Sequence, residues 1–145
     1  MADALRVFLD ANVWYSALHS PQGTPATILR HHARGNVTAV VSRQVLGEVL
    51  RVIRRKLPGG VERFRDLLRG APPMVTADPQ AQTVSRVMVT VNEDDAPIVA
   101  AALDAGVDYF VTGDLRLLKE VRRLPGAPRA VSPRELLDLI EAPAP

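Results

Sequence analysis

Short apolar runs alternate along this chain with stretches whose apolar residues recur every three or four positions, the pattern of buried strands interleaved with amphipathic helices. Arg6 to Leu9 predicts a short buried strand, and the chain turns helical from Asn12 to Leu18. Pro25 suits the first turn of a helix that carries Ile28 and Leu29 to about Arg34, where Gly35-Asn36 ends it. Val37 to Val41, β-branched apart from Ala39, predicts a second strand. Ser42 can cap the next helix, whose Val45, Val49, Val52 and Ile53 keep helical spacing until Pro58-Gly59-Gly60 stops it. Val61 to Leu68 is a shorter helix, and Met74-Val75 a brief strand.

The segment from Asp78 to Asn92 has two readings: Val87, Val89 and Val91 alternate as in a strand, while Asp78 to Val84 reads equally as helix or loop. Beyond it come a helix from Asp95 to Ala105, a Gly106 stop, a strand from Tyr109 to Thr112 and a helix around Leu115 to Arg122. Ala130-Val131 is a last strand, and Ser132-Pro133-Arg134-Glu135 combines a capping box with proline at the first helical position, opening a helix through about Ile140. Such alternation predicts an α/β fold with a mostly parallel sheet covered on both faces. Its ligand site is expected beyond the carboxyl ends of the strands.

A length of 145 residues suits one domain, expected over residues 1–141 with a frayed tail at 142–145. No apolar run approaches the roughly 20 residues of a membrane span, and a strand begins within a few residues of the N-terminus, so a cytoplasmic protein without a signal peptide is expected. The absence of cysteine excludes disulfides, thiolate metal sites and cysteine nucleophiles. Ser42, Ser85 and Ser132 have no evident base nearby, and His19, His31 and His32 read as surface or helix residues. Trp14 and Tyr15 could stack a base, although a place in the core or an interface is the commoner role.

Four acids stand where a carboxylate is awkward. Asp10 ends the run Val7-Phe8-Leu9, Glu48 lies inside an apolar helix, Asp95 opens Ala96-Pro97-Ile98-Val99-Ala100, and Asp114 follows Tyr109-Phe110-Val111-Thr112-Gly113. The three aspartates taken singly suit turns or helix caps, with Asp94 an alternative cap beside Asp95. Glu48 does not, because Val45 and Val52 share its side of the helix, so it needs an arginine or a metal as partner. Brought together, four carboxylates repel and lose hydration unless a cation compensates them, and oxygen-only ligands favour Mg2+ or Mn2+.

The net charge of +2 hides an asymmetry: setting those four acids against a metal leaves 12 of the 16 acids facing 18 lysines and arginines. Much of the excess is clustered, as in Arg51, Arg54, Arg55 and Lys56, or in Arg116, Lys119, Arg122 and Arg123. Basic clusters around an acidic pocket suit a polyanionic substrate, with Arg51, Arg54 and Arg55 as its candidate contacts, though each cluster alone also reads as a solvated helix face.

Taken in order, Asp10-Ala11-Asn12-Val13, the Glu48 of Val45-Leu46-Gly47-Glu48-Val49-Leu50, Asp95 before Ala96-Pro97-Ile98-Val99, and Val111-Thr112-Gly113-Asp114 resemble the pattern of the PIN-domain nucleases, and in particular the VapC-like toxins of prokaryotic toxin–antitoxin pairs. The resemblance covers nearly the whole chain. It implies a three-layer α/β/α sandwich, with Asp10, Glu48, Asp95 and Asp114 as catalytic metal ligands. Asn12 and Thr112 are implied as hydrogen-bonding supports, and the activity as Mg2+- or Mn2+-dependent cleavage of RNA. A cognate antitoxin and a homodimer are implied as partners. Related chains often carry an acid where Asn92 stands, and many carry one shortly after the last aspartate, where this chain has Arg116, Leu117 and Leu118. A second metal position is therefore open.

Other classes fit less well. A haloacid-dehalogenase-like phosphatase wants an acid at Asn12, and a receiver domain wants paired acids after the first strand and a lysine after a late one. The remaining alternative is a PIN fold that binds RNA or an antitoxin without cutting.

Overall fold

The computed structural model describes residues 4–143. Five parallel strands, β1 (Leu5–Leu9), β2 (Val37–Val41), β3 (Met74–Val75), β4 (Tyr109–Val111) and β5 (Arg129–Val131), form one sheet in the order β3-β2-β1-β4-β5. Between them run α1 (Ala11–His19), α2 (Thr24–Ala33), α3 (Arg43–Lys56), α4 (Gly60–Gly70), α5 (Ala81–Val87), α6 (Ala96–Ala105) and α7 (Leu115–Arg122), and α8 (Pro133–Glu141) closes the chain. Two residues of the expected tail, 144 and 145, lie outside the described residues. No described helix is long and apolar enough to cross a membrane.

Consecutive strand residues point to opposite faces of a sheet, and Val7, Phe8 and Leu9 are all fully buried. Helices therefore cover both faces, as the continuous apolar runs require. The register pairs Val7 with Tyr109 and Leu9 with Val111, and Phe8 stacks on Phe110 with ring centroids 5.6 Å apart. α3 buries Val45, Val49 and Ile53 completely, each worth about 1.5–3 kcal/mol of apolar burial. Its start is capped by Ser42 Oγ, which accepts from Val45 N at 3.3 Å, and left-handed Gly59 (φ 73°) turns the chain into α4.

The strand reading of Val87, Val89 and Val91 does not hold. Val87 ends α5 and the chain continues in tight turns, with Thr90 N and Val91 N both bonded to Val87 O. Val87 and Val91 are buried while Val89 is 86% exposed, so the spacing that matters is four residues and not two. Asp104 on α6 holds the helical alternative in place, accepting from Gln80 N at 2.8 Å and from Thr83 Oγ1 at 2.7 Å.

Candidate functional site

β1 and β4 lie side by side at the centre of the sheet, and the chain leaves both at the same edge. Asp10 follows β1, Asp114 follows β4 by way of Thr112 and Gly113, and each is the N-cap of the next helix. α6 leads back to the start of β4, which puts Asp95 at its far end, on this edge, without a preceding strand. Glu48 reaches the edge from the second turn of α3.

A hydrogen-bond network fixes the centre. Asp10 is buried; its Oδ1 accepts from Ala11 N at 2.8 Å, and its Oδ2 from Thr112 Oγ1 at 2.8 Å and Asn12 Nδ2 at 3.1 Å. Thr112 Oγ1 also accepts from Asn12 Nδ2 and from Asp114 N, at 3.2 and 3.1 Å, which uses its full capacity of one donor and two acceptors. Asn12 Oδ1 accepts from Gly113 N at 2.8 Å. A Cβ on Gly113 would stand 3.2 Å from that oxygen, so the close approach favours glycine. Asn12 and Thr112, singled out as supports, thus tie the ends of β1 and β4 together around Asp10.

The caps account for the aspartates unequally. Asp114 Oδ1 accepts from Arg116 N at 3.0 Å and Leu117 N at 3.2 Å, so this residue does cap α7. Asp95 holds the N-cap position of α6 but makes no capping bond; its Oδ2 accepts instead from Arg116 Nη2 at 3.0 Å. The backbone N–H of Asp94 is bound by Asn92 Oδ1 in a local turn.

Electrostatics joins the four. Burial pushes the Asp10 carboxyl above its ordinary value of 3.8, against its hydrogen bonds, and the Asp114 charge adds to the rise. Glu48 is raised by burial and then by Asp10, with Arg51 opposing and Asp95 adding. Asp95 is raised by burial, then by Asp10, with Arg116 opposing and Asp114 and Glu120 adding. Asp10, Glu48 and Asp95 each feel at least one other acid of the set, and for these three loss of hydration outweighs the compensation that the protein supplies. Among the described residues no three acid or histidine side chains form a ready cation cage as they stand. The donor set nonetheless fits a hard divalent cation: it is all carboxylate, and a cation is the partner that would relieve the repulsion.

One nearby acid, Glu120, was not singled out in the sequence, and two basic groups take their place beside the acids. Glu120 Oε2 stands 3.9 Å from Arg116 Nη1, and its Oε1 accepts from Asn92 N at 3.3 Å. Its i, i+4 spacing from Arg116 was visible, but only the packing of α7 beside the start of α6 brings the pair to Asp95. Arg51, Arg54 and Arg55 line a cleft together with Glu48 and Val52, so the basic cluster on α3 adjoins Glu48.

Other candidates settle elsewhere. Trp14 is buried, donates from Nε1 to Leu9 O at 3.1 Å and meets Phe64 edge-on, which makes it a core residue. His32 bridges Ala71 O and Ala39 N, and His31 lies between Asn36 and Glu141. An apolar hollow lined by residues including Ala17, Leu18, Leu29 and Leu67 contains no carboxylate.

The PIN domain family pattern matches residues 6–116. Among solved structures the chain is similar to PAE2754 from Pyrobaculum aerophilum at 18% identity and a TM-score of 0.70, covering 97% of this chain and 99% of that one. It is similar to VapBC from Salmonella typhimurium, solved bound to DNA, at 17% identity and a TM-score of 0.67, covering 89% and 98%. It is also similar to VapC20 from Mycobacterium tuberculosis, a Sarcin-Ricin loop cleaving toxin, at 15% identity and a TM-score of 0.52, covering 72% and 86%. No curated protein sequence matches. At these identities the structural likeness speaks to the fold alone.

Proposed function

The chain belongs to the PIN domain family, and on that premise we propose that it is a metal-dependent endoribonuclease, the toxin of a toxin–antitoxin pair. The observation that carries the reading is the convergence of Asp10, Glu48, Asp95 and Asp114 at one sheet edge, where burial and neighbouring carboxylates hold the first three above their ordinary values.

In this reading the four acids hold one or two Mg2+ or Mn2+ ions. When bound, the metal lowers the pKa of the attacking water and meets the charge that builds on the phosphoryl oxygens. Asp10 is the anchor, because Asn12 and Thr112 fix its Oδ2 before any ion arrives. Glu48 sits between the acids and the cleft of Arg51, Arg54 and Arg55, whose cations would draw the ribose-phosphate backbone towards the strand ends. The VapBC complexes among the similar structures favour an antitoxin as protein partner, and the family resemblance favours a homodimer.

The test is cleavage of structured and single-stranded RNA by metal-stripped protein with added Mg2+, with added Mn2+ and with EDTA. Cleavage with either ion and none in EDTA is expected; equal cleavage in EDTA would end the metal mechanism. Binding of RNA or antitoxin with no cleavage under any condition would leave a binding module.

A further inference from the structure

Arg116 is attached to the carboxylate cluster twice. Its backbone N–H donates to Asp114 Oδ1 at 3.0 Å, and its guanidinium lies 3.0 Å from Asp95 Oδ2 and 3.9 Å from Glu120 Oε2. Among the described residues no other salt bridge reaches Asp10, Glu48, Asp95 or Asp114. The backbone contact holds the residue beside the acids whatever its side chain does. The side chain itself is 54% exposed, so it can leave Asp95 without breaking a packed core.

A carboxylate oxygen that accepts from a guanidinium is a weaker donor to a second cation, and a divalent ion arriving nearby is repelled by the charge it must displace. We propose that Arg116 is the resident counter-cation of this cluster: it occupies Asp95 in the ion-free protein and competes with the divalent metal for that carboxylate. In doing so it sets the metal concentration at which the site fills. The inference rests on the metal-site reading above and adds a gain control to it.

The size follows from the bond that the ion must displace: a charge-assisted hydrogen bond between guanidinium and carboxylate is worth about tenfold in an equilibrium constant, and it exists only while Asp95 keeps its charge. Arg116→Gln should therefore bind Mn2+ about tenfold more tightly than wild type, whereas Arg116→Lys, which keeps the charge, should stay near the wild-type affinity. In an Asp95→Asn background the contested carboxylate is gone, so the gain from Arg116→Gln should shrink to about threefold or less.

Calorimetric titration of Mn2+ into the metal-stripped full chain reads all of these without substrate or turnover. Wild type that binds Mn2+, with Arg116→Gln binding no tighter, overturns the competition and leaves the metal site standing. An equal gain in the Asp95→Asn background also overturns it, because Arg116 would then act only as distant charge. No binding of Mn2+ by wild type or by Arg116→Gln removes the metal-site reading itself, and the competition falls with it.

Discussion

Two stretches of the same sheet edge treat their acids in opposite ways. At the β5 flank Glu135 accepts from Ser132 N at 2.9 Å and from Arg122 Nη2 at 3.0 Å, while Ser132 Oγ in turn accepts from Glu135 N. The backbone bond to Ser132, with Arg122 adding, holds the Glu135 carboxyl below its ordinary value of 4.5. At the centre, beyond β1 and β4, Asp10, Glu48 and Asp95 are all held above theirs by burial and by neighbouring carboxylates. An acid that only has to start a helix is given partners, while the central ones are left in conflict. Such a conflict persists where it has a use, so the centre and not the flank is the place to look for chemistry.

The largest effect should separate the two regions by activity. Asp95→Asn should lower RNA cleavage by orders of magnitude at saturating Mg2+, because a ligand is lost where charge must be met. Glu135→Gln should cut RNA within a factor of two or so of wild type, as expected of a helix cap away from the reacting groups. Equal losses in the two variants would erase the distinction.

Next in size is the response to metal. An ion that binds only the native state adds about 2.7 kcal/mol at 100 times its dissociation constant. Thermal scans should show wild type and Ser132→Ala rising alike with Mn2+, and Glu48→Gln losing much of the rise. A full rise in Glu48→Gln would exclude this side chain from the site.

Without metal, the two regions should answer substitution with opposite signs. Ser132→Ala removes a cap and should cost about 1 kcal/mol in denaturant melts. Glu48→Gln removes a half-buried charge repelled by Asp10, and metal-free stability should stay level or rise. Asp10 is a poorer probe, because both its oxygens already accept hydrogen bonds and an amide would turn a donor on one of them. A stability loss in Glu48→Gln matching that of Ser132→Ala would make Glu48 an ordinary partnered acid.

The smallest effect lies in pH. The central carboxyls have folded pKa values above their unfolded ones, so the native state binds more protons in that window, and metal-free stability falls as pH rises from 3.8–4.5 through the raised values. Glu135 does the reverse: its contribution is present above 4.5 and is lost as pH falls through its lowered value. Wild type should therefore gain stability on mild acidification until the flank begins to protonate, and Glu48→Gln should flatten the gain. Metal-free stability that only rises from pH 4 to 7 would contradict the raised values.

Most elements were legible because their signals are local. Pro25, Ser42, Gly106 and the Ser132–Glu135 box mark helix ends by chemistry that acts within a turn, and the strands from Val37 and Tyr109 are short apolar runs. Val87 to Val91 misled because three alternating valines imitate a strand, while contacts with α6 decide which of them are buried. Order and residue type singled out the four acids. What stayed hidden was tertiary: Glu120 and Arg116 become neighbours of Asp95 only through the packing of two helices whose starts, Ala96 and Leu115, lie 19 residues apart in sequence.

The bond from Thr112 Oγ1 to Asp10 Oδ2 joins residues 102 positions apart, and the pairing of β1 with β4 spans a similar distance. Closing so long a loop costs entropy that only the completed sheet repays, which places this pairing late in folding. On the ribosome, Asp10 and Glu48 emerge long before Thr112, and a chain halted short of β4 carries half of the proposed site without the hydroxyl that bonds Asp10 Oδ2. Topology thus keeps the proposed site unbuilt until the moment Thr112 docks beside Asp10.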